Sequence, residues 1–525
     1  MVPVLPSGTA AARRHGRTAK LHIPASWALL AVLAVQAALS LRLVRADTAF
    51  EDEATYLWAG HLEWAHLLHG TPLPQFPAYF SGAPVLYPPI GALADSIGGL
   101  TAARILSLVF MLGATVGLWA TAARLFGRRA AFFAAALWAV SGPTLHLGAF
   151  ATYDAMSMFL IAVAAWLVVR AGDRQDATAW MIAAGAVLAL ANATSYSSAL
   201  FDPVVVLLAL VIAFPQPGGR FAAWRPLTIV AVTAVLLTPA VLIGGSRYLH
   251  GIGVTTLERA AGTDSPLSVF AHFWSWTGVI VIAAICGVVI SWVSRPARAQ
   301  SWLVTLLAAA VLLVPAEQAS LYTTASLNKH GAMGAWFAAI AAGYAVGKLV
   351  ETSPAGNTRS VCLGACVIAL CFPVTLGASQ SRVMSADWPN SSDFISIFGP
   401  LVDRSTGHVL VEDPSIAEYY LPAGSQWMRW SSTRNIILPS GAPTGGPSAT
   451  AGIVGAGNAG TFAVYITEGY FSLIALNFTD TTSLDQSIAA DIHRNHRYHL
   501  IQVVPYGMEI PPIGQGSYEI WQYKP

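Results

Sequence analysis

The sequence is poor in charge. Only 10% of its 525 residues are Asp, Glu, Lys or Arg, against about a quarter in soluble domains. With 55% hydrophobic residues and a mean hydropathy of +0.58, this excludes an ordinary soluble chain and defines a membrane protein. The net charge of +2 is too small to build the basic surface that nucleic-acid binding needs. Cysteine is scarce too. Cys286, Cys362, Cys366 and Cys371 all lie in apolar segments, and none has metal-ligand spacing to histidine. No cysteine follows residue 371, so the C-terminal region uses no disulfide. No internal repeat is visible, which argues against a repeat-built transporter.

Long apolar runs are what the chain has instead. Residues 1–22 are polar and carry Arg13, Arg14, Arg17 and Lys20. The run from Ile23 to Leu43 is long enough to span a bilayer at ~20 residues. Further spans are expected near 101–123, 130–150, 155–171, 179–194, 199–214, 227–244, 271–293, 301–318, 331–348 and 360–379, about eleven in all. Alternate loops are basic: Arg124, Arg128 and Arg129; Arg170 and Arg174; Arg220 and Arg225; Arg295 and Arg298; Lys348 and Arg359. The positive-inside rule makes these loops and the tail of residues 1–22 cytoplasmic. The first outer loop, 46–100, and the remainder, 381–525, are then exoplasmic.

Residues 381–525 have the composition of a soluble domain. Strands are expected at 408–413, 462–467, 472–476, 498–505 and 518–523, and helices at 415–420 and 483–495. Their alternation predicts a small α/β domain. The expected fold is thus a polytopic α-helical membrane domain, 23–380, followed by a soluble α/β domain.

The first outer loop opens with Glu51, Asp52 and Glu53. Adjacent carboxylates repel, which marks either a solvated acidic loop or a functional site. A helix is expected to follow, with Leu57, His61, Trp64 and Leu68 on one face, and with Trp58 and Trp64 suited to the membrane interface. A second carboxylate, Asp154, and three cations, Arg104, Lys329 and His330, fall at the same outer surface. Acid and cation at one face suit transfer from a phosphorylated lipid: the carboxylate takes the acceptor's proton and the cations stabilise the leaving phosphate. Ordinary interfacial placement of Arg and Lys is the alternative reading.

FEDEATYL after the first span, YPPIGALAD closing the loop, AARILSLVF opening the second span and ATYDAMSMF between spans three and four together resemble the GT-C superfamily. The likeness extends over about residues 20–350. It is most similar to the bacterial relatives of protein O-mannosyltransferases and of the aminoarabinose transferase, which are phospholipid-carrier-dependent glycosyltransferases.

That resemblance implies a multi-pass enzyme of a bacterial cytoplasmic membrane. It would move a sugar from a polyprenyl-phosphate donor to an acceptor hydroxyl of a protein, lipid or cell-wall glycan. It implies Asp52 as general base with Glu53 completing the acidic pair, and Asp154 as the second loop acid. It implies Arg104, Lys329 and His330 as ligands of the carrier phosphate. Tyr87 precedes Pro88-Pro89 where some relatives carry Lys, so a phenol stands at that position of the phosphate site. Direct displacement implies inversion at the anomeric carbon. The nearest relatives imply no essential metal, while Glu51–Asp52–Glu53 leaves a divalent ion open. The rival from another class is a membrane transporter or flippase for a lipid-linked or small polar substrate.

Three patterns are set apart from the site. Gly455–Gly460 matches the spacing of a dinucleotide loop, but FAVYIT after it reads as a strand where a helix is required. His493, His496 and His499 cross from a helix end into a strand and share no face. Asn477-Phe-Thr479 matches a glycosylation sequon, a pattern common by chance.

Overall fold

The structure is a computed structural model. It describes residues 25–172, 174, 176–214, 223–257, 261–294, 297–433, 459–479, 481–506 and 516–525. The basic tail of residues 1–22, Arg220, Arg295 and most of the Gly455–Gly460 stretch lie outside the described residues.

The described residues from 25 to 384 form a helical bundle. Its elements are α1 (Ala25–Leu41), α2 (Glu51–His69), α3 (Tyr87–Ala139), α4 (Gly142–Leu147), α5 (Tyr153–Arg170), α6 (Thr178–Thr194), α7 (Asp202–Ala213), α8 (Trp224–Ile252), α9 (Pro266–Val293), α10 (Arg298–Ala309), α11 (Leu313–Ser320), α12 (Leu327–Thr352), α13 (Asn357–Ala369) and α14 (Cys371–Met384). Eight helices among the described residues are long and apolar enough to cross a membrane, and the shorter Trp27–Leu41 and Thr178–Thr194 are apolar as well. The apolar runs read from the sequence as spans coincide with helices among the described residues, the run at 130–150 being broken between α3 and α4.

The 53-residue α3 holds two of those runs. It bends at Gly127, where φ is +86°, a conformation open to glycine at little cost. Arg124, Arg128 and Arg129 surround this bend, so the first basic loop is a kink. The α6–α7 hairpin is stapled at its break: Asn192 donates to Asp202 (2.7 Å) and accepts from Ser198 (2.7 Å). On α12, Gly343 and Gly347 let the helix approach α3 at Ala130, because a Cβ on Gly343 would stand 2.2 Å from the Ala130 carbonyl oxygen.

The bundle has two chemically distinct ends. At one end the basic segments meet. The Arg124 Nε donates to Val169 O (3.2 Å), and Arg225 donates to Gly172 O (3.3 Å) and Arg174 O (2.9 Å). Lys348 joins them beside Leu125, Phe126 and Gln300. At the other end lie α2, the tip of the α6–α7 hairpin and the start of α12. Lys329 and Lys348 stand at opposite ends of α12, separated by about 28 Å at ~1.5 Å per residue, which matches a hydrocarbon layer of ~30 Å.

The C-terminal domain adds α15 (Ser392–Arg404), β1 (His408–Val411), α16 (Ser415–Tyr420), β2 (Trp430–Ser432), α17 (Ala459–Glu468), β3 (Phe471–Leu476), α18 (Thr482–Arg494), β4 (Tyr498–Tyr506) and β5 (Gly516–Tyr523). The sheet order is β2-β1-β3-β5-β4. The first three strands are parallel, and β5 runs antiparallel to both β3 and β4. Val409, Val411, Leu473 and Ala475 face Phe394, Phe398 and Val402 of α15. The alternate residues Leu410, Ile474 and Leu476 face α17 and α18. This period of two is what a sheet covered on both sides requires.

Two expectations fail here. Residues 462–467 are helix. Phe462, Tyr465 and Ile466, at i, i+3 and i+4, are buried together on the sheet, and that packing outweighs their β-propensity. The argument against a dinucleotide loop at Gly455–Gly460 therefore loses its expected strand, and the loop itself lies outside the described residues. Strand β2 was not foreseen.

The domain docks on the site end of the bundle. The Tyr420 Oη accepts from the Ala49 N–H (2.8 Å), the Trp58 indole donates to Gly424 O (2.9 Å), and Tyr419 Oη donates to Asp95 (2.7 Å). Trp58 is thus buried against the C-terminal domain and is not an interfacial anchor. Leu57 is buried while His61 and Leu68 are exposed, so the expected face of α2 is corrected as well. The buried face instead runs through Glu53, Leu57, Gly60 and neighbours packed on α3.

Candidate active site

Asp52 and Glu53 both lie in the first turn of α2, about 100° apart around its axis. That rotation sends the two carboxylates to different places.

Glu53 turns inward and is fully buried. Its Oε1 accepts from Arg104 Nε (2.8 Å) and the Ala151 N–H (2.7 Å), and its Oε2 accepts from Arg104 (2.6 Å) and the Phe50 N–H (3.0 Å). The Arg104 guanidinium also donates to Val44 O, Asp47 O and Thr48 O, each at 3.0 Å. All five of its N–H donors are used. Arg104 is a strut that holds the chain before α2 onto α3, and it is only 2% exposed. The resemblance made Arg104 a phosphate ligand and Glu53 the partner of Asp52 in the acidic pair; here the two are paired with each other, and neither lines the cavity that Asp52 faces. Tyr87, expected at the phosphate site, is also set back from that cavity. Its side chain is fully buried beside Tyr56 and does not reach the cavity.

Asp52 turns the other way, into a cavity of about 470 Å³, within the ~300–1,000 Å³ usual for ligand sites. Its Oδ2 accepts from Lys329 Nζ at 2.5 Å. The remaining walls include Tyr56, Tyr79, Ser81, Tyr153, Tyr196, Thr255, Thr256, Glu317, Gln318, Ser326 and His330.

Lys329 and His330 reach the cavity because α12 starts there. Asp264 accepts from the Thr324 N–H and Oγ1, both at 2.8 Å, which fixes the α11–α12 turn. Ser326 caps α12 with φ +63°, a left-handed conformation uncommon outside glycine. The positive end of the helix dipole thus faces the cavity together with the Lys329 ammonium. The ammonium also sits 5.7 Å from the centre of the Phe150 ring, within cation–π range of ~6 Å.

Asp154 stands behind this surface. It opens α5, accepts from Thr152 Oγ1 (2.9 Å), and lies 3.5 Å from His330 Nε2. At 1% exposure it does not line the cavity; it holds His330. Tyr56, one helical turn after Asp52, keeps its proton: burial, then the charge of Asp52, raise its pKa well above the usual phenol value. It can donate a hydrogen bond to a ligand oxygen.

The structure thus brings Asp52, Lys329, His330 and Asp154 together and leaves out Glu53, Arg104 and Tyr87. The tyrosines and the Glu317-Gln318 pair were missed. Tyr56 could have been found from its i+4 spacing to Asp52, and Glu317-Gln318 as polar residues ending an apolar run. A metal at Glu51–Asp52–Glu53 does not fit, because Asp52 and Glu53 diverge to separate cations. Among the described residues no three His, Cys, Asp or Glu side chains group as metal ligands.

The architecture is that of an apolar helical bundle, long enough to cross a membrane, with a C-terminal domain over a polar pocket at one end. Residues 85–243 match the family model for dolichyl-phosphate-mannose-protein mannosyltransferase. The structure is similar to that of ArnT from Cupriavidus metallidurans bound to undecaprenyl phosphate, with a TM-score of 0.59 and 14% identity over 94% of this chain and 98% of that one. It is also similar to the archaeal oligosaccharyltransferase AglB from Archaeoglobus fulgidus in complex with an inhibitory peptide and a dolichol-phosphate, with a TM-score of 0.54 and 13% identity over 94% of this chain and 74% of that one. No curated protein matches by sequence. The likeness to these two structures shows that the chain shares their fold.

Proposed function

We propose that the protein transfers a sugar from a polyprenyl-phosphate carrier to an acceptor hydroxyl at the Asp52–Lys329 cavity, on the exoplasmic face of a bacterial cytoplasmic membrane. The observation that carries this reading is a carboxylate and an ammonium paired at the wall of a polar cavity, at the end of the bundle opposite the basic segments. If the basic end is cytoplasmic, the cavity opens where nucleotide sugars are absent and a lipid must deliver the donor.

The step balances as a single displacement. The acceptor oxygen bonds to the anomeric carbon while its proton passes to Asp52. The bond from that carbon to the phosphate oxygen breaks, and the electron pair leaves on the carrier phosphate. The phosphate gains one negative charge, which Lys329 meets with His330 beside it. Lys329 pairs with Asp52 in the resting protein. Turning to the arriving phosphate releases Asp52 to accept a proton. One displacement through an oxocarbenium-like state inverts the anomeric centre.

The test uses purified full-length protein in nanodiscs, given either an undecaprenyl-phosphate sugar or the matching nucleotide sugar. Turnover only with the lipid-linked donor is expected. Efficient use of the nucleotide sugar with no lipid-linked donor present would overturn the reading.

A further inference from the structure

The mechanism leaves one wall of the cavity unused. Glu317 and Gln318, in the last turns of α11, line it near Lys329 and His330 of the next helix. The Gln318 Nε2 donates to Glu317 Oε2 at 2.8 Å. This contact fixes the amide: reversed, it would set two acceptors against each other. The amide oxygen Oε1 is therefore turned away from Glu317. It is buried, it has no hydrogen-bond partner, and its residue is only 1% exposed. A buried acceptor left in this state carries a desolvation cost that a ligand donor would remove.

Glu317 supplies acceptors of the same kind. Among the described residues no cation pairs with it, whereas Asp52, the other carboxylate lining the cavity, is matched by Lys329. This wall therefore offers hydrogen-bond acceptors and uncompensated negative charge. Such a surface suits hydroxyl or amine groups and repels a carboxylate.

We propose that Glu317 and Gln318 form the sugar-recognition edge of the cavity, accepting hydrogen bonds from a neutral or amino sugar and discriminating against a hexuronate. The inference rests on the lipid-linked donor reading and deepens it. Lys329 holds the phosphate that all such donors share, and Glu317 and Gln318 read the ring that differs.

Binding of three probes separates the two parts: undecaprenyl phosphate, undecaprenyl-phosphate glucose and undecaprenyl-phosphate glucuronate. Each is titrated into full-length protein in nanodiscs. Wild type should bind the glucose form at least about tenfold more tightly than the glucuronate form, a difference of the size polar sites impose. Glu317→Gln, of equal volume, should bring that ratio towards one. Gln318→Met should weaken the glucose form alone by about tenfold. Both variants should bind bare undecaprenyl phosphate as wild type does, and Lys329→Ala should weaken all three probes. An unchanged glucose-to-glucuronate ratio in folded Glu317→Gln, with Lys329→Ala still weakening every probe, would overturn the recognition edge and leave the donor reading standing. Wild-type protein that binds none of the three would overturn both.

Discussion

Asp52 and Glu53 are adjacent in sequence and each is paired with a cation, yet the two pairs behave oppositely. The Glu53–Arg104 pair is dry and saturated, with side chains 0% and 2% exposed and every guanidinium donor used. The Asp52–Lys329 pair is 27% and 12% exposed, joins α2 to a helix 277 residues later, and borders a cavity. Burial with complete hydrogen bonding makes an ion pair a structural strut, and breaking it leaves a charge stranded. Partial exposure beside open volume leaves a pair that can exchange partners when an anion arrives. An acidic run in a sequence does not reveal this difference, because it depends on which side of a helix each residue faces.

The largest effect should come from breaking the cavity pair. Lys329→Ala removes the charge that meets the leaving phosphate and should lower kcat/KM by roughly 10²–10³-fold while the protein stays folded, measured with an undecaprenyl-phosphate sugar. Arg104→Ala should do the reverse. It strands Glu53 and should cost about 3–5 kcal/mol of stability, seen as a lower melting temperature, with carrier affinity kept in the fraction that remains folded. If Arg104→Ala weakened phosphate binding without loss of stability, the strut would be a ligand after all.

A third carboxyl sharpens the comparison because it is buried with no cation paired to it among the described residues. Asp485 in the C-terminal domain is pushed up to about 7 by burial and then by the charge of Glu412. Its folded pKa lies above its ordinary value of 3.8, so between those values the folded domain holds more proton than the unfolded one. Stability there should fall as pH rises from about 4 to 7. Hydrogen exchange in β3 and α18 of the full-length protein should report this slope, and Asp485→Asn should flatten it.

Much of the fold was legible in the sequence. Apolar runs mark the long helices of the bundle, α2 apart, because a bilayer-spanning segment must be long and continuous, and loop charge sorts the two ends. The C-terminal domain was legible in class but not in detail. FAVYIT carries strand-forming residue types, and only its spacing of Phe462, Tyr465 and Ile466 betrays the helix that packs on the sheet. At the site, Asp52, Asp154, Lys329 and His330 were legible because charge is rare in this chain. Arg104 stood out for the same reason, but rarity marks a charge as important without saying whether it serves a substrate or another side chain. The polar wall of the cavity was not legible, since tyrosines, threonines and Glu317-Gln318 acquire meaning only when α2, the α6–α7 hairpin, α8 and α11 converge.

The most direct test of Asp52 as the base is single-turnover kinetics of Asp52→Asn with a polyprenyl-phosphate sugar donor. The amide keeps the volume but cannot take the acceptor's proton. Donor binding should be retained, and the chemical step should fall by roughly 10²–10⁴-fold. A folded Asp52→Asn protein that transfers sugar at the wild-type rate would contradict the account.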